Sequence, residues 1–388
     1  DTCLNKNELH LMTKRKMFIK VENNLYNSPC GELLKAPRAI QGADPKFIAL
    51  VGPCFMALQA ELKKCWDGKN FPILFSSGVD SVKLAQHVDV PEWQIFKNDV
   101  SSYDASICAA ICELEVWMAG KMGARRVVRD LMRANISTHG VSSKGIKYKV
   151  NGTRKSGDPY TTYFNSIING LLHLFVLTDR GTLELSNVLR RIRMLVAGDD
   201  NLLRHCRTLI PYWPDMTLLG FKCDNLYVST LDRADFCSSK IYRLIDKYTF
   251  APMLGRVINK LFEFNNPPAK IDPFSIIRGV VLGLRAASTV VPFMWDYLKW
   301  VLVLTKGVPV WIPPNEEWKM TYGMLLADPP DEINNQVVVE RDYHYSFYHH
   351  SFVMRAVPRE LKYTDWLSNG VVELLFDHDT SAPQSIFV

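Results

Sequence analysis

The chain of 388 residues, 47% apolar and 22% charged, is ordinary globular material able to bury a sizeable core and to divide into two or three subdomains. Its net charge of +6 permits a polyanionic partner without requiring one, and its nine cysteines include no CxxC pair, which argues against a disulfide framework or a zinc site and suits a reducing compartment. The most apolar stretch, Val280 to Leu304, is broken by Arg285, Asp296 and Lys299, so it is expected to form a buried helical pair and not a bilayer crossing.

The first forty residues are rich in lysine and arginine, in KRKMFIKVE and LLKAPRAIQG, and Pro29, Gly31 and Pro37 cut them into short extended pieces. A helix is expected across FMALQAELKKCW, followed by a loop region as far as Pro91. The segment WQIFKNDVSSYDASICAAICELEVWMAG then reads as a strand entering a helix. Trp93 and Ile95 alternate with polar neighbours, and the apolar positions from Ile107 to Trp117 recur at helical spacing. A basic helix (KMGARRVVRDLMRA) and a glycine-bearing hairpin (STHGVSSKGIKYKV) come next. From Ser156, SGDPYTTYFNSIINGLLHLFV is a loop feeding a long apolar helix. RIRMLVAGDDNLLRHC is strand, tight turn, strand, with Gly198 supplying the backbone freedom of a two-residue turn. Beyond Lys240 the pattern is largely helical and rich in tryptophan, ending in RDYHYSFYHHSF.

Chemistry gathers at three places. Asp199 and Asp200 stand side by side at the hairpin tip, where like charges repel unless the tip is an exposed turn or the pair holds a cation. DVSSYD supplies Asp99 at the end of a strand and Asp104 as the chain turns into a helix. If the Asp99 strand lies beside the hairpin in one sheet, Asp99 and Asp199 converge. Oxygen ligands without clustered His or Cys favour Mg²⁺. Between these blocks, SGDPYTTYFN places Ser156, Gly157, Thr161 and Asn165 at a loop-to-helix junction, small hydroxyl and amide groups suited to a sugar hydroxyl. Taken singly, GDD and DVSSYD are more often ordinary turns, since Asp at a turn is commonplace.

Taken in order, the blocks resemble the palm of a viral RNA-dependent RNA polymerase of positive-strand RNA viruses: motif A at DVSSYD, motif B at SGDPYTTYFN and motif C at AGDDN. The stretch KYKVNGTRKSGDPYT is similar to the segment before motif B in the tombusvirus-like group. KMFIKVENNLY with KAPRAIQG resembles motif F of the fingers, LLGFKCDN motif D, and ADFCSSKIYRL motif E. Motif C departs from the commoner forms in carrying Asn201 after the acids. No counterpart of motif G precedes Lys14, so part of the fingers is expected to lie outside this chain.

The resemblance implies an α+β right-hand polymerase, with an antiparallel-sheet palm of RRM-like type and a helical thumb. Fingers would come from 1–92 and 121–150, palm from 93–120 and 151–243, and thumb with tail from 244–388. It implies template-directed RNA synthesis with two Mg²⁺ ions, Mn²⁺ being a possible substitute, held by Asp99, Val100, Asp199 and Asp200. Asp104, Ser156 and Asn165, supported by Thr161, would read the ribose 2′-hydroxyl. Arg38, Lys20 and Lys35 would face the triphosphate, and Lys16, Gly157, Cys237 and Ser238 the RNA. Lys222 would protonate the leaving pyrophosphate. Implied partners are an RNA template and nascent strand, ribonucleoside triphosphates and other viral replication proteins, in a membrane-associated complex of the host cytoplasm.

Plainer roles stand beside these. The lysines of the first forty residues also fit a solvated face, Lys222 a surface turn, and Cys237 and Ser238 a packed junction. The YHYSFYHH stripe fits either stacking of an initiating nucleotide or core packing. At the level of the whole chain, a reverse transcriptase with the same palm and a non-catalytic RNA-binding scaffold are the rivals. Asp104 and Asn165 count against the first, and the intact acids against the second.

Overall fold

The computed structural model describes residues 4–20, 26–27, 32–33, 38–261, 270–314, 330–345, 347–356, 375 and 379. Lys35 lies outside them. The chain forms two compact units, Asp1–Val79 with Val90–Val228, and Asp80–Asp89 with Ser229–Val388.

In chain order the first unit contains α1 (Lys6–Met12), β1 (Arg15–Ile19), β2 (Tyr26–Asn27), β3 (Glu32–Leu33), β4 (Ala39–Gly42), α2 (Pro45–Cys65) and β5 (Ile73–Phe75). Helix α3 (Ser81–Val88) belongs to the second unit. The first unit resumes with β6 (Gln94–Val100), α4 (Tyr103–Ser106), α5 (Ala109–Lys121), α6 (Arg126–Ala134), β7 (Ser137–Ser142), β8 (Lys147–Asn151), α7 (Thr161–Leu177), α8 (Leu185–Leu189), β9 (Ile192–Ala197), β10 (Asp200–His205) and β11 (Cys223–Val228). Helix α1 was not expected from the sequence, although its signal is local: Asn5 accepts from the N–H groups of Asn7 and Glu8, and the Glu8 carboxylate reaches back to the Asn5 N–H, a capping box. The expected loop up to Pro91 also contains β5 and α3, both too short to declare a period.

Two larger sheets organise this unit, beside the small β2–β3 pair. One has the order β4-β1-β7-β8, the other β11-β6-β10-β9-β5. In the second, strands β6, β9, β10 and β11 pair antiparallel, and β5 joins β9 in parallel at the edge. Its inner strands and the β5 edge are apolar because both faces are covered: Ile73, Phe75, Phe96, Ile192, Met194, Leu195, Val196, Leu202 and Leu203 are fully buried. Helix α7 packs its Ile168, Leu172 and Leu174 into the same core. Each such side chain contributes roughly 1.5–3 kcal/mol on burial, which fixes the register that the polar tips of the strands inherit.

The second unit holds the sheet β12 (Asp235–Phe236), β13 (Ser239–Arg243) and β14 (Tyr248–Pro252), then α9 (Leu254–Lys260), α10 (Pro273–Ser288), α11 (Met294–Leu304) and helices Glu332–Tyr343 and Phe347–Ala356. Helix α10 starts where Asp272 accepts from the Phe274 N–H with Pro273 at the first helical position. Helices α10 and α11 are the buried pair expected across Val280 to Leu304. Among the described residues no helix is long and apolar enough to cross a membrane. Much of the aromatic stripe packs inward: Tyr343, Tyr345 and His350 are buried, with the Tyr297 and Tyr345 hydroxyls 2.6 Å apart and His350 Nε2 3.2 Å from Asp296. Tyr348, 85% exposed, faces solvent.

Candidate active site

The β9–β10 hairpin closes through Gly198 and Asp199, with Ala197 paired to Asp200. Gly198 has φ +66° while Asp199 stays at negative φ, the pattern of a type II′ turn, which glycine adopts without strain. Strand β6 pairs with β10 on one side and with β11 on the other. Asp99, near the end of β6, therefore comes to the same end of the sheet as the hairpin tip. Asp99, Asp199 and Asp200 all reach solvent. Partial burial nevertheless pushes the Asp199 carboxyl above the usual carboxylate range, and the charges of Asp200, Asp104 and Asp99 push it further. Val100 is buried, so only its main-chain carbonyl could join a ligand set.

A buried amide network that the sequence did not announce holds this tip. Asn169 of α7, 1% exposed, donates from Nδ2 to the carbonyls of Gly198 at 3.0 Å and Asp199 at 2.8 Å. Ser166, one turn earlier, accepts from the Gly198 N–H at 2.7 Å. Strands β6 and β10 pair only from Leu203↔Phe96 outward to His205↔Gln94. Beyond that the buried Asn201 side chain takes over, accepting from the Asn98 N–H at 3.3 Å and donating to the Asn98 carbonyl at 3.1 Å and its side-chain oxygen at 2.6 Å. Asn98 Nδ2 in turn donates to His173 Nε2 at 3.2 Å, and His173 Nδ1 donates to the Asn169 carbonyl at 2.8 Å. These bonds demand a neutral imidazole protonated on Nδ1, and burial lowers the His173 pKa to about 4, which keeps it so.

The second cluster forms where the chain leaves β6. Ser101 donates its N–H to the Lys222 carbonyl at 2.9 Å, Ser102 takes a left-handed conformation, and Asp104 enters α4. The Arg154 N–H donates to the Asp104 carbonyl at 2.7 Å, drawing the segment before α7 alongside. Asp104 then accepts two side-chain bonds, from Asn165 Nδ2 at 2.9 Å and from the Ser156 hydroxyl. The structure thus joins Asp104, Ser156 and Asn165 directly. Thr161 does not enter this group; its hydroxyl donates to the Lys155 carbonyl at 3.2 Å. Gly157 has φ +113° and passes against β4, where an added Cβ would lie 3.8 Å from the Gln41 carbonyl.

Strands β1 and β4 bring part of the basic run together: the Lys20 N–H donates to the Arg38 carbonyl at 2.8 Å, and Lys16, Lys20 and Arg38 are exposed. Arg15, from the same run, turns inward to a buried ion pair with Asp158 at 2.7 Å, tying β1 to the loop before α7. Lys222 is exposed just before β11. A carboxylate not singled out in the sequence, Asp224, lies directly across from Asp99 in the β6–β11 register. In the second unit, Cys237 and Ser238 form an exposed β12–β13 turn with φ +49° and +58°, and the Ser238 hydroxyl accepts from Arg256 at 2.7 Å.

Among the described residues no three His, Cys, Asp or Glu side chains form a ready-made metal cage. The donor set nonetheless fits a hard divalent cation. It is all oxygen, the charges of Asp200, Asp104 and Asp99 add to the burial that raises Asp199, and such cations complete their shell with water and substrate phosphate. No curated protein matches the chain at significant similarity. Residues 1–260 of the 388 match the family model for RNA dependent RNA polymerase. The chain belongs to that family, and is a viral RNA-dependent RNA polymerase of the positive-strand RNA viruses, a nucleotidyltransferase acting on an RNA template and nucleotide substrates.

Proposed function

We propose that nucleotide transfer takes place at the end of the β11-β6-β10-β9-β5 sheet where Asp99, Asp199 and Asp200 meet. The observation that carries this is the strand order: β6 beside the hairpin gathers carboxylates from distant parts of the sequence at one end of the sheet, where burial raises the Asp199 pKa and the neighbouring charges add to it. Two Mg²⁺ ions held by Asp99 and Asp199, with Asp200 and the Val100 carbonyl completing the set, would polarise the attacking 3′-hydroxyl and neutralise the departing pyrophosphate. In this reading residues 93–120 and 151–243 are the palm, which carries β6, β9, β10 and β11, residues 1–92 and 121–150 are fingers, and 244–388 are thumb and tail.

The chain's own groups divide the remaining work. Asp104 and Ser156 accept the hydrogen of the ribose 2′-hydroxyl, and Asn165 holds Asp104 for them, so a deoxynucleotide leaves lone pairs of these half-buried oxygens unused. That preference favours RNA synthesis over a reverse transcriptase. Arg38 grips the triphosphate as a fork, Lys20 and Lys35 add point charge, and Lys222 delivers a proton to pyrophosphate. Lys16, Gly157, Cys237 and Ser238 contact RNA backbone. The tombusvirus-like KYKVNGTRKSGDPYT segment and a membrane-associated replication complex in the host cytoplasm, with other viral replication proteins, belong to the same proposal.

The test is Asp199→Ala in single-nucleotide extension of a primed RNA template. Incorporation is expected to vanish while RNA binding stays within about twofold, since one carboxylate contributes nothing to phosphate attraction. Extension by the variant at a measurable fraction of the wild-type rate would refute the assignment.

A further inference from the structure

Beneath the Asp104–Ser156–Asn165 group lies a buried ion pair to which no role has yet been given. Glu115 of α5 is 1% exposed and Arg154 is 4% exposed. The guanidinium meets the carboxylate at two points, Nη1 to Oε2 at 2.8 Å and Nη2 to Oε1. Its remaining edge points elsewhere: Nε–H donates to Asn165 Oδ1 at 2.9 Å. The same guanidinium lies over the Tyr160 ring, 5.6 Å from its centroid. Because the guanidinium is flat and rigid, fixing two of its nitrogens on Glu115 fixes the direction of the third. Buried ion pairs rarely repay their desolvation in stability compared with apolar residues of similar volume, so stability is a poor account of this one.

Following the hydrogens outward gives a better account. Asn165 receives Arg154 on its oxygen, which leaves its nitrogen to face Asp104. Asp104 accepts from Asn165 on one oxygen and from Ser156 on the other. The Ser156 hydroxyl spends its only hydrogen on Asp104. What the group still offers outward is lone pairs, on Asp104 and on the Ser156 oxygen. It therefore receives a ligand hydroxyl as a donor and gives a C–H group nothing. All of this depends on the Asn165 amide not turning over, because a turned amide would set its oxygen against the Asp104 carboxylate.

We propose that Glu115 and Arg154 are positioning residues for sugar selection: together they lock the Asn165 amide in the one orientation that keeps the Asp104 and Ser156 acceptors aimed at the 2′-hydroxyl. The inference rests on reading Asp104, Ser156 and Asn165 as the ribose-sensing group. Neither residue touches the nucleotide, and their effect is on choice of sugar more than on turnover.

The experiment measures kcat/KM for a ribonucleotide and its 2′-deoxy counterpart on a primed RNA template, using the full chain. The variants are Glu115→Gln, the double replacement Glu115→Met with Arg154→Met, Asn165→Ala, and Val188→Ala as a destabilised control in α8. The double replacement removes both charges at once and is expected to keep the fold, as judged by circular dichroism and thermal midpoint. Both Glu115 variants should lower the ribose-to-deoxyribose ratio tenfold or more, while Val188→Ala lowers the midpoint and leaves the ratio alone. A ratio within twofold of wild type in the folded variants overturns the proposal, and so does unfolding of both, which would assign the pair to the fold. If Asn165→Ala leaves the ratio unchanged, the ribose reading itself fails. If Asn165→Ala lowers the ratio and the methionine pair does not, only the positioning role fails.

Discussion

Replacing Asn169 by alanine tests whether the acidic turn is held from below. Asn169 Nδ2 lies 3.0 Å from the Gly198 carbonyl and 2.8 Å from that of Asp199, and the side chain is 1% exposed. Truncation strips the buried Gly198 carbonyl of this donor and leaves the Asp199 carbonyl with the longer bond from Asn201 Nδ2 at 3.4 Å, at a net cost of about 1 kcal/mol each, rising toward 3 kcal/mol in total if no water enters. Against a total stability of about 5–15 kcal/mol, this is a visible fraction of the folding free energy. It should appear as a lower urea midpoint with an unchanged slope. The same loss frees the backbone that carries Asp199, and displacement of a reacting group by about 1 Å costs on the order of a hundredfold in rate. Single-nucleotide incorporation should therefore fall by ten- to a hundredfold under conditions where the variant is fully folded. The isosteric Asn169→Asp, which sets carboxylate oxygens against those carbonyls, should be worse than alanine on both measures. A variant with the wild-type urea midpoint and wild-type incorporation would show that the turn needs no such support and would refute the reasoning.

In metal-free buffer at neutral pH, Asp199→Asn should melt higher than wild type, and with Mg²⁺ restored it should incorporate nothing. The folded pKa of Asp199 is raised, so its contribution to stability is fully present below the unfolded value of about 3.9 and is lost as pH rises through the folded value; the gap in melting temperature should open over that window. Adding Mg²⁺ should raise the melting temperature of wild type more than that of the variant, and equal shifts would count against Asp199 as a ligand. Arg38→Ala should raise KM for the nucleotide about tenfold or more through loss of a charge-assisted contact, with Arg38→Lys recovering part of it. An unchanged KM in steady-state kinetics would remove Arg38 from the triphosphate site.

What the sequence disclosed followed the length over which each signal extends. The hairpin around Gly198 and the long apolar helix α7 are read from uninterrupted patterns, and the strand carrying Asp99 from its lead into α5. Strand β5 has three residues and α3 eight, too few for a period, and β5 is fixed by its pairing with β9. The same limit explains the missed site residues. Asn169 and His173 sit inside an apolar run where a lone polar letter looks like noise, Asn98 stands between Lys97 and Asp99 where one more polar letter draws no notice, and only the folded neighbourhood shows that each satisfies another. Asp224 was hidden for a different reason: its position opposite Asp99 is a matter of register between strands far apart in the chain. Arg154 and Glu115 likewise meet only through tertiary contact.

Where β6 and β10 part company, one rung between them is built from the Asn201 side chain instead of from peptide groups. The gap separating two acid-bearing strand tips is consequently written in a side-chain length, which a single codon can alter. A shorter residue at this position would let the tips close and a longer one would pry them apart, so divergence here offers a route to retuning the interval between the acids while every acid stays in place.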